Sequence, residues 1–389
     1  MGDSHEPVGG TAGARRAPAV PAPTRMPADL SISLEAGRGA DRGLAELGPR
    51  RHPMRGFEDG YVDIVDWIVR ITHRIWEDQD VGYIYDTYAP GCRVFDDGGP
   101  KYGVERVVAE TVQSIHAFAD VRHYADDVIW AGDEDEGFYT SHRAINVGHH
   151  TGAWRWGPAT GRKVNLWVIA NCVSRENEIF DEWVLYNTGA RLAQLGIDVA
   201  AAARMAGNEE GFIPVGEREL TEIDRLAGGR KPLPLERRAP AGGFDPDFEV
   251  RSLFHEVYNR RNLSAIDKSY GPNVRFHGAS NRSGYGRADV RAMARGLLAT
   301  FPDLGLQVDE VYWMGNEADG FRVSVRWSAT GTHRGYALYG KPTGRRVYLW
   351  GLSQLYVQDG RIVEDWMLFN EFDVLMQLLR DDPPPFLAR

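Results

Sequence analysis

Tyr61, Val65, Ile68, Thr72 and Ile75 recur at intervals of four and three, which places them on one face of a helix. Val104, Val107, Val108, Thr111, Val112 and Ile115 repeat that spacing. A short helix between them ends near Tyr88-Ala89-Pro90, where proline blocks continuation. In the C-terminal part of the chain the period changes to two. Phe321, Val323, Val325, Trp327 and Ala329 alternate with Arg322, Ser324, Arg326, Ser328 and Thr330, which predicts a strand with one buried face. Tyr348, Trp350, Leu352 and Gln354 continue into a second long strand. Asp359-Gly360 predicts a type I′ hairpin, because that turn needs positive φ at both central residues, and residues 362–369 form the return strand. Three helices followed by long antiparallel strands predict an α+β domain whose helices cover one face of a curved sheet, with a pocket beneath them.

The whole pattern occurs twice. Thr160-Gly161-Arg162 and Leu166-Trp167 return 183 residues later as Thr343-Gly344-Arg345 and Leu349-Trp350. The same offset carries Trp130 onto Trp313, Arg143 onto Arg326, His150 onto His333, Trp183 onto Trp366 and Asn187 onto Asn370. Upstream, Tyr88, Pro90 and Arg93 match Tyr270, Pro272 and Arg275 at an offset of 182. The second copy has its own helical faces, in Val250, Leu253, Phe254, Val257 and Tyr258 after Pro246, and in Val290, Met293, Ala294, Leu297 and Leu298. A register this long is a duplication. It divides the chain into an arm (residues 1–55), a first domain (56–198), a linker (199–244) and a second domain (245–382).

The arm is rich in Ala, Gly, Pro and Arg, buries too little to offset its ordering entropy, and is expected to be disordered; Met54, just before the first helix, is an alternative start. The linker becomes polar and proline-containing, with a helical turn expected around Glu217 to Leu226. With 389 residues, 43% hydrophobic and 26% charged, the chain suits two soluble globular domains. A net charge of −10 without a basic stripe argues against nucleic-acid or membrane-surface partners. Cys92 and Cys172 form neither a disulfide framework nor a closed zinc site; buried thiols in a reducing cytoplasm are expected. Dinucleotide, P-loop and zinc-protease motifs are lacking, so the expected chemistry uses no cofactor and no metal.

Gly331-Thr332-His333-Arg334-Gly335, Gly340-Lys341-Pro342-Thr343-Gly344 and Asp359-Gly360-Arg361-Ile362-Val363-Glu364-Asp365-Trp366 resemble the SnoaL-like polyketide cyclase and ester cyclase family. His149-His150-Thr151-Gly152, Asp181-Glu182-Trp183 and the closing Gln194-Leu195-Gly196 carry the likeness into the first copy. The resemblance implies two tandem nuclear-transport-factor-2-like cones. It also implies cyclase, isomerase, dehydratase (lyase) or hydrolase chemistry on a small carbonyl-containing or cyclic substrate. The alternative is a binding or assembly module without catalysis, and it has a specific motive. These cyclases carry an acid/base aspartate a few residues after the tryptophan of the last strand, where this chain has Asn187 and Asn370, and an amide cannot exchange a proton near neutral pH. Epoxide hydrolysis is a weaker reading, since neither copy shows an Asp-Arg-Asp-like cluster. Domains of this fold often pair through their sheets, so the fusion is expected to build that pair within one chain.

His150 and His333 occupy the family's histidine slot and either move protons or hydrogen-bond a neighbouring turn. Alternation puts Asp181, Trp183, Leu185 and Asn187 on one face of the last strand, and Glu182, Val184 and Tyr186 on the other. Asp181 and Glu364 match, as do Glu182 and Asp365; a carboxylate on the pocket side would have a raised pKa and act as a base. Asp181 and Glu364 are expected to assist the histidines. Arg143 and Arg326 either hold a substrate oxygen or form structural ion pairs. Asn187 and Asn370 would orient a carbonyl, and Trp183 and Trp366 would contact a flat ligand. His142 faces Val325 in the other copy and reads as positional.

Overall fold

The architecture is that of a computed structural model, which describes residues 49–209 and 242–381. In the first copy, helix α1 (Ile64–Trp76) starts at Asp63, whose side chain accepts the Asp66 N–H at 2.7 Å. Helix α2 (Ile84–Thr87) leads into strands β1 (Tyr88–Asp96) and β2 (Gly99–Tyr102), then helix α3 (Val104–Ala117). Strands β3 (Arg122–Asp133), β4 (Gly137–His149), β5 (Lys163–Arg175) and β6 (Glu178–Leu185) follow, and helices α4 (Thr188–Leu195) and α5 (Val199–Gly207) close the copy. The second copy consists of α6 (Pro246–Phe254), α7 (Ala265–Ser269), β7 (Tyr270–Gly278), β8 (Ser283–Tyr285), α8 (Gly286–Thr300), β9 (Gly305–Asn316), β10 (Gly320–Thr332), β11 (Arg346–Gln358), β12 (Arg361–Phe369) and α9 (Glu371–Leu379). Strands β3, β4 and β5 begin and end 183 residues before β9, β10 and β11, whereas β1 and β7 are offset by 182. The extra residue falls between the first two strands of the second copy, where Ser280 and Asn281 both take positive φ.

Each copy folds its six strands into one sheet, ordered β2-β1-β6-β5-β4-β3 and β8-β7-β12-β11-β10-β9. The expected all-antiparallel sheet needs one correction: β1 runs parallel to β6, and β7 to β12. The helices between them supply the crossover that a parallel pair requires. The Asp359-Gly360 hairpin has φ of 50° and 67°, as a type I′ turn demands.

Two segments depart from the expected boundaries. Residues 49–55, assigned by composition to a disordered arm, are packed: Met54 is buried, His52 stacks on Trp130 at 5.0 Å, and Arg51 pairs with Asp63 at 3.0 Å. The start of the supposed linker is the helix α5, whose Ala202, Ala203 and Ala206 pack on Phe372 and Met376 of the second copy. Alanines give close helix–helix approach, so an alanine-rich run here is an interface rather than a spacer. The rest of the arm and the expected turn at Glu217 to Leu226 lie outside the described residues.

The two sheets meet across β3 to β6 and β9 to β12. Asn171 donates to Ser324 Oγ at 3.2 Å, and Gln354 Nε2 donates to the Ser141 carbonyl at 2.9 Å. Among the described residues no helix is long and apolar enough to cross a membrane.

Candidate active site

Alternation along β6 sends Glu182 and, just beyond the strand, Tyr186 into the first cone, and Asp181 and Trp183 to its outside. The cone holds a cavity of about 640 Å³, continuous in lining with a smaller inner one of about 70 Å³. His123, Asn146, Glu182 and Tyr186 border both. Glu182 is only 8% exposed, accepts a hydrogen bond from the Tyr88 hydroxyl at 2.9 Å, and has no ion pair among the described residues. Burial pushes its carboxyl up to about 7, against the opposing pull of Tyr88 and Lys101. His123 is buried, and burial beside His142 and His73 lowers it to about 3, so its imidazole is neutral. Its Nε2 and the Asn146 Oδ1 are buried and have no hydrogen-bond partner among the described residues. Trp154 and Trp156 also line it, and Phe372 and Met376 of α9 complete the wall, so the second copy contributes to the first copy's cavity.

The second cone keeps the acid–tyrosine pair and little else. Tyr270 donates to Asp365 at 2.7 Å, and burial lifts Asp365 to about 6. Around it, Leu306, Val325, Ala329, Phe369 and Val374 stand where the first copy has His123, His142, Asn146, Tyr186 and Arg191. All five belong to the second copy's continuous apolar core. A cup lined with such side chains packs against itself.

The residues singled out by sequence fall elsewhere. His150 is fully buried; the Thr160 N–H donates to its Nδ1 at 3.2 Å, and Phe118 stacks on the ring at 5.2 Å. His333 repeats this with Thr343 at 3.3 Å. Burial lowers both imidazoles. Each ties a Thr-Gly-Arg turn to a strand end, and His150 does not border the cavity. Asp181 pairs with Arg93 at 2.5 Å, and Glu364 with Arg275 at 2.5 Å and His277 at 3.1 Å. Arg143 and Arg326 lie between the two sheets. Arg143 stacks over Trp366 and Arg326 over Trp183, each at 4.1 Å, a reciprocal arrangement of the kind a two-fold interface makes. Arg143 also pairs with Asp126 at 2.6 Å and donates to Gln354 and Tyr356. Asn187 donates to Asn281 at 3.0 Å across the interface and accepts the Ser280 N–H. Asn370 is buried, accepting the Trp350 N–H at 2.9 Å and donating to Asp373. The outer face of β6 and β12 is thus the interface between copies, and the inner face carries the cavity.

His123, Asn146, Tyr186 and Arg191 escape a search for residues shared by both copies. Their signal lies in the difference between the copies, polar in one and apolar in the other at cavity-facing positions; His142 against Val325 is that signal met once. Among the described residues no three His, Cys, Asp or Glu side chains gather to hold a metal.

No curated protein matches the chain. Similar solved structures include a candidate SnoaL-like polyketide cyclase from Jannaschia sp. CCS1, 20% identical over 38% of this chain and 99% of that one, with a TM-score of 0.30. AclR, a candidate hydroxylase from Streptomyces galilaeus, is 30% identical over 36% of this chain and 87% of its own, with a TM-score of 0.29. IdmH, a candidate polyketide cyclase from Streptomyces antibioticus, is 23% identical over 34% and 97%, with a TM-score of 0.29. The model of the SnoaL-like polyketide cyclase family matches residues 67–195 and again residues 248–378. The chain therefore belongs to the SnoaL-like polyketide cyclase family, and contains its domain twice.

Proposed function

We propose that the chain is an acid/base enzyme that needs no cofactor, acts on a small carbonyl-containing or cyclic organic substrate, and works in the first cone. The observation that carries this reading is Glu182, a cavity-facing carboxyl tuned to about 7, with no ion pair among the described residues. A group with that pKa takes and returns protons near neutral pH. Glu182 removes a proton from the carbon beside the substrate carbonyl. Tyr88, donating to the carboxyl, fixes which oxygen faces the substrate. The neutral His123, the Asn146 amide and the Tyr186 hydroxyl surround the space where the enolate oxygen would sit. Return of the proton to another atom gives isomerisation, ring closure or elimination from the same intermediate.

Glu182 thereby takes the duty of the family's aspartate from a position five residues earlier on the chain, since Asn187 is engaged by the second copy. The second cone, with its apolar filling, suits an assembly role: it completes the wall and holds the sheets.

Proton–deuteron exchange into 2-tetralone in D2O, followed by NMR, tests this. Wild-type protein should accelerate exchange well above the enzyme-free rate, and Glu182→Gln should lose at least about 100-fold of it, the usual share of a general base. Equal rates for the two proteins would refute the role of Glu182.

A further inference from the structure

We propose that the first cavity contains a subsite for an anionic group of the substrate, a carboxylate or an equally acidic oxygen, built on Arg191. The proposal builds on the reading of that cavity as the working site and adds the class of substrate it takes. Arg191 projects from α4 into the cavity lining. Its guanidinium lies among three rings, 5.5 Å from Tyr186, 5.6 Å from Trp154 and 5.9 Å from Phe118. Among the described residues no carboxylate lies within ion-pairing distance of it. The charges around it are otherwise committed: Lys101 pairs with Asp96 and Glu110, Arg106 with Glu110 at 2.7 Å, and Arg155 with Glu209 at 2.8 Å. The strongest acidic influence on it is Asp97, whose carboxylate accepts the Thr188 N–H at 3.0 Å at the start of the same helix. Burial and Asp96 raise the pKa of Asp97, against the opposing pull of Thr188 and of Arg191 itself.

A guanidinium walled by aromatic rings keeps five donors in a fixed fork and is weakly hydrated, so it suits a planar, two-oxygen anion. It is costly to hold in a partly enclosed site unless something is gained when the site fills. The second copy shows that the fold does not require it: Val374 occupies the equivalent position in α9 and is buried in the core. Arg191 also sits near enough to His123 and Tyr186 to act on both, so an anion bound to it would lie alongside the groups that face Glu182.

The test compares binding of 1-naphthoate with that of neutral 1-naphthamide, read by quenching of the cavity tryptophans. Wild-type protein should bind the anion at least about tenfold more tightly. Arg191→Gln should remove that preference while still binding the amide, and Arg191→Lys should keep part of it. Equal affinities in the wild type, or a preference that survives Arg191→Gln, would overturn the proposal. Should Arg191→Gln not fold, Arg106→Gln and Arg155→Gln decide: the preference should persist in both, and its loss in either assigns the anion elsewhere. Glu182→Gln keeps the two claims apart, because it should lose proton exchange while retaining the preference for naphthoate.

Discussion

Glu182 carries a carboxyl that titrates near 7 in the folded chain and near 4.5 when free of its surroundings. Between those pH values the folded state holds a proton that the unfolded state has released, so stability falls as pH rises through this window. A displacement of that size corresponds to roughly 3 kcal/mol. Glu182→Gln is therefore expected to stabilise the protein by about 2–3 kcal/mol at pH 8 and hardly at pH 4, in urea unfolding followed by circular dichroism. A variant no more stable than wild type at pH 8 would mean that the carboxyl is not held in a costly place. A working acid that weakens the fold is a common trade. His150 behaves the opposite way. Its ring anchors a turn, so His150→Ala should cost about 1–2 kcal/mol of stability and leave proton exchange within about threefold of wild type. A loss of exchange comparable to that of Glu182→Gln, in a variant that still folds, would return the histidine to the chemistry.

Elements were legible where one physical rule decided them. The four-and-three spacing of Tyr61 to Ile75 marks α1 because a half-buried helix has no other period, and the Asp359-Gly360 pair marks its hairpin because few residues accept positive φ twice. Gly360→Ala tests that directly. The added Cβ would meet nothing closer than Phe244 at 3.6 Å, so the effect is backbone strain at φ 67°, and a loss of about 1 kcal/mol in thermal or chemical unfolding is expected. An unchanged stability would show that the turn relaxes. The parallel pairing of β1 with β6 was not legible, because alternation gives a strand its faces and not its neighbours. The packing of Met54 and of Ala202, Ala203 and Ala206 was hidden for a related reason: composition describes a segment's own apolar content, whereas their burial depends on a surface supplied from far along the chain.

At the scale of the whole molecule, duplication gave one cone two fates. The outer faces of the sheets remained alike, with Arg143 over Trp366 answering Arg326 over Trp183, while the inner faces diverged into a polar cavity and an apolar core. Apart from the acid–tyrosine pair, residues shared by both copies consequently report on the interface, which is why Arg143, Arg326, Trp183 and Trp366 stood out in the sequence and His123, Asn146, Tyr186 and Arg191 did not. A double-mutant cycle of Arg143→Met and Trp366→Leu should give a coupling of about 1 kcal/mol in unfolding experiments, and additive effects would remove the stacking from the interface. The division of labour itself is tested most directly by a crystal structure with 2-naphthol, a stable mimic of an enol. The ligand is expected in the first cone alone, its hydroxyl among Glu182, His123 and Asn146; density in the second cone beside Asp365, with the first cone empty, would contradict it.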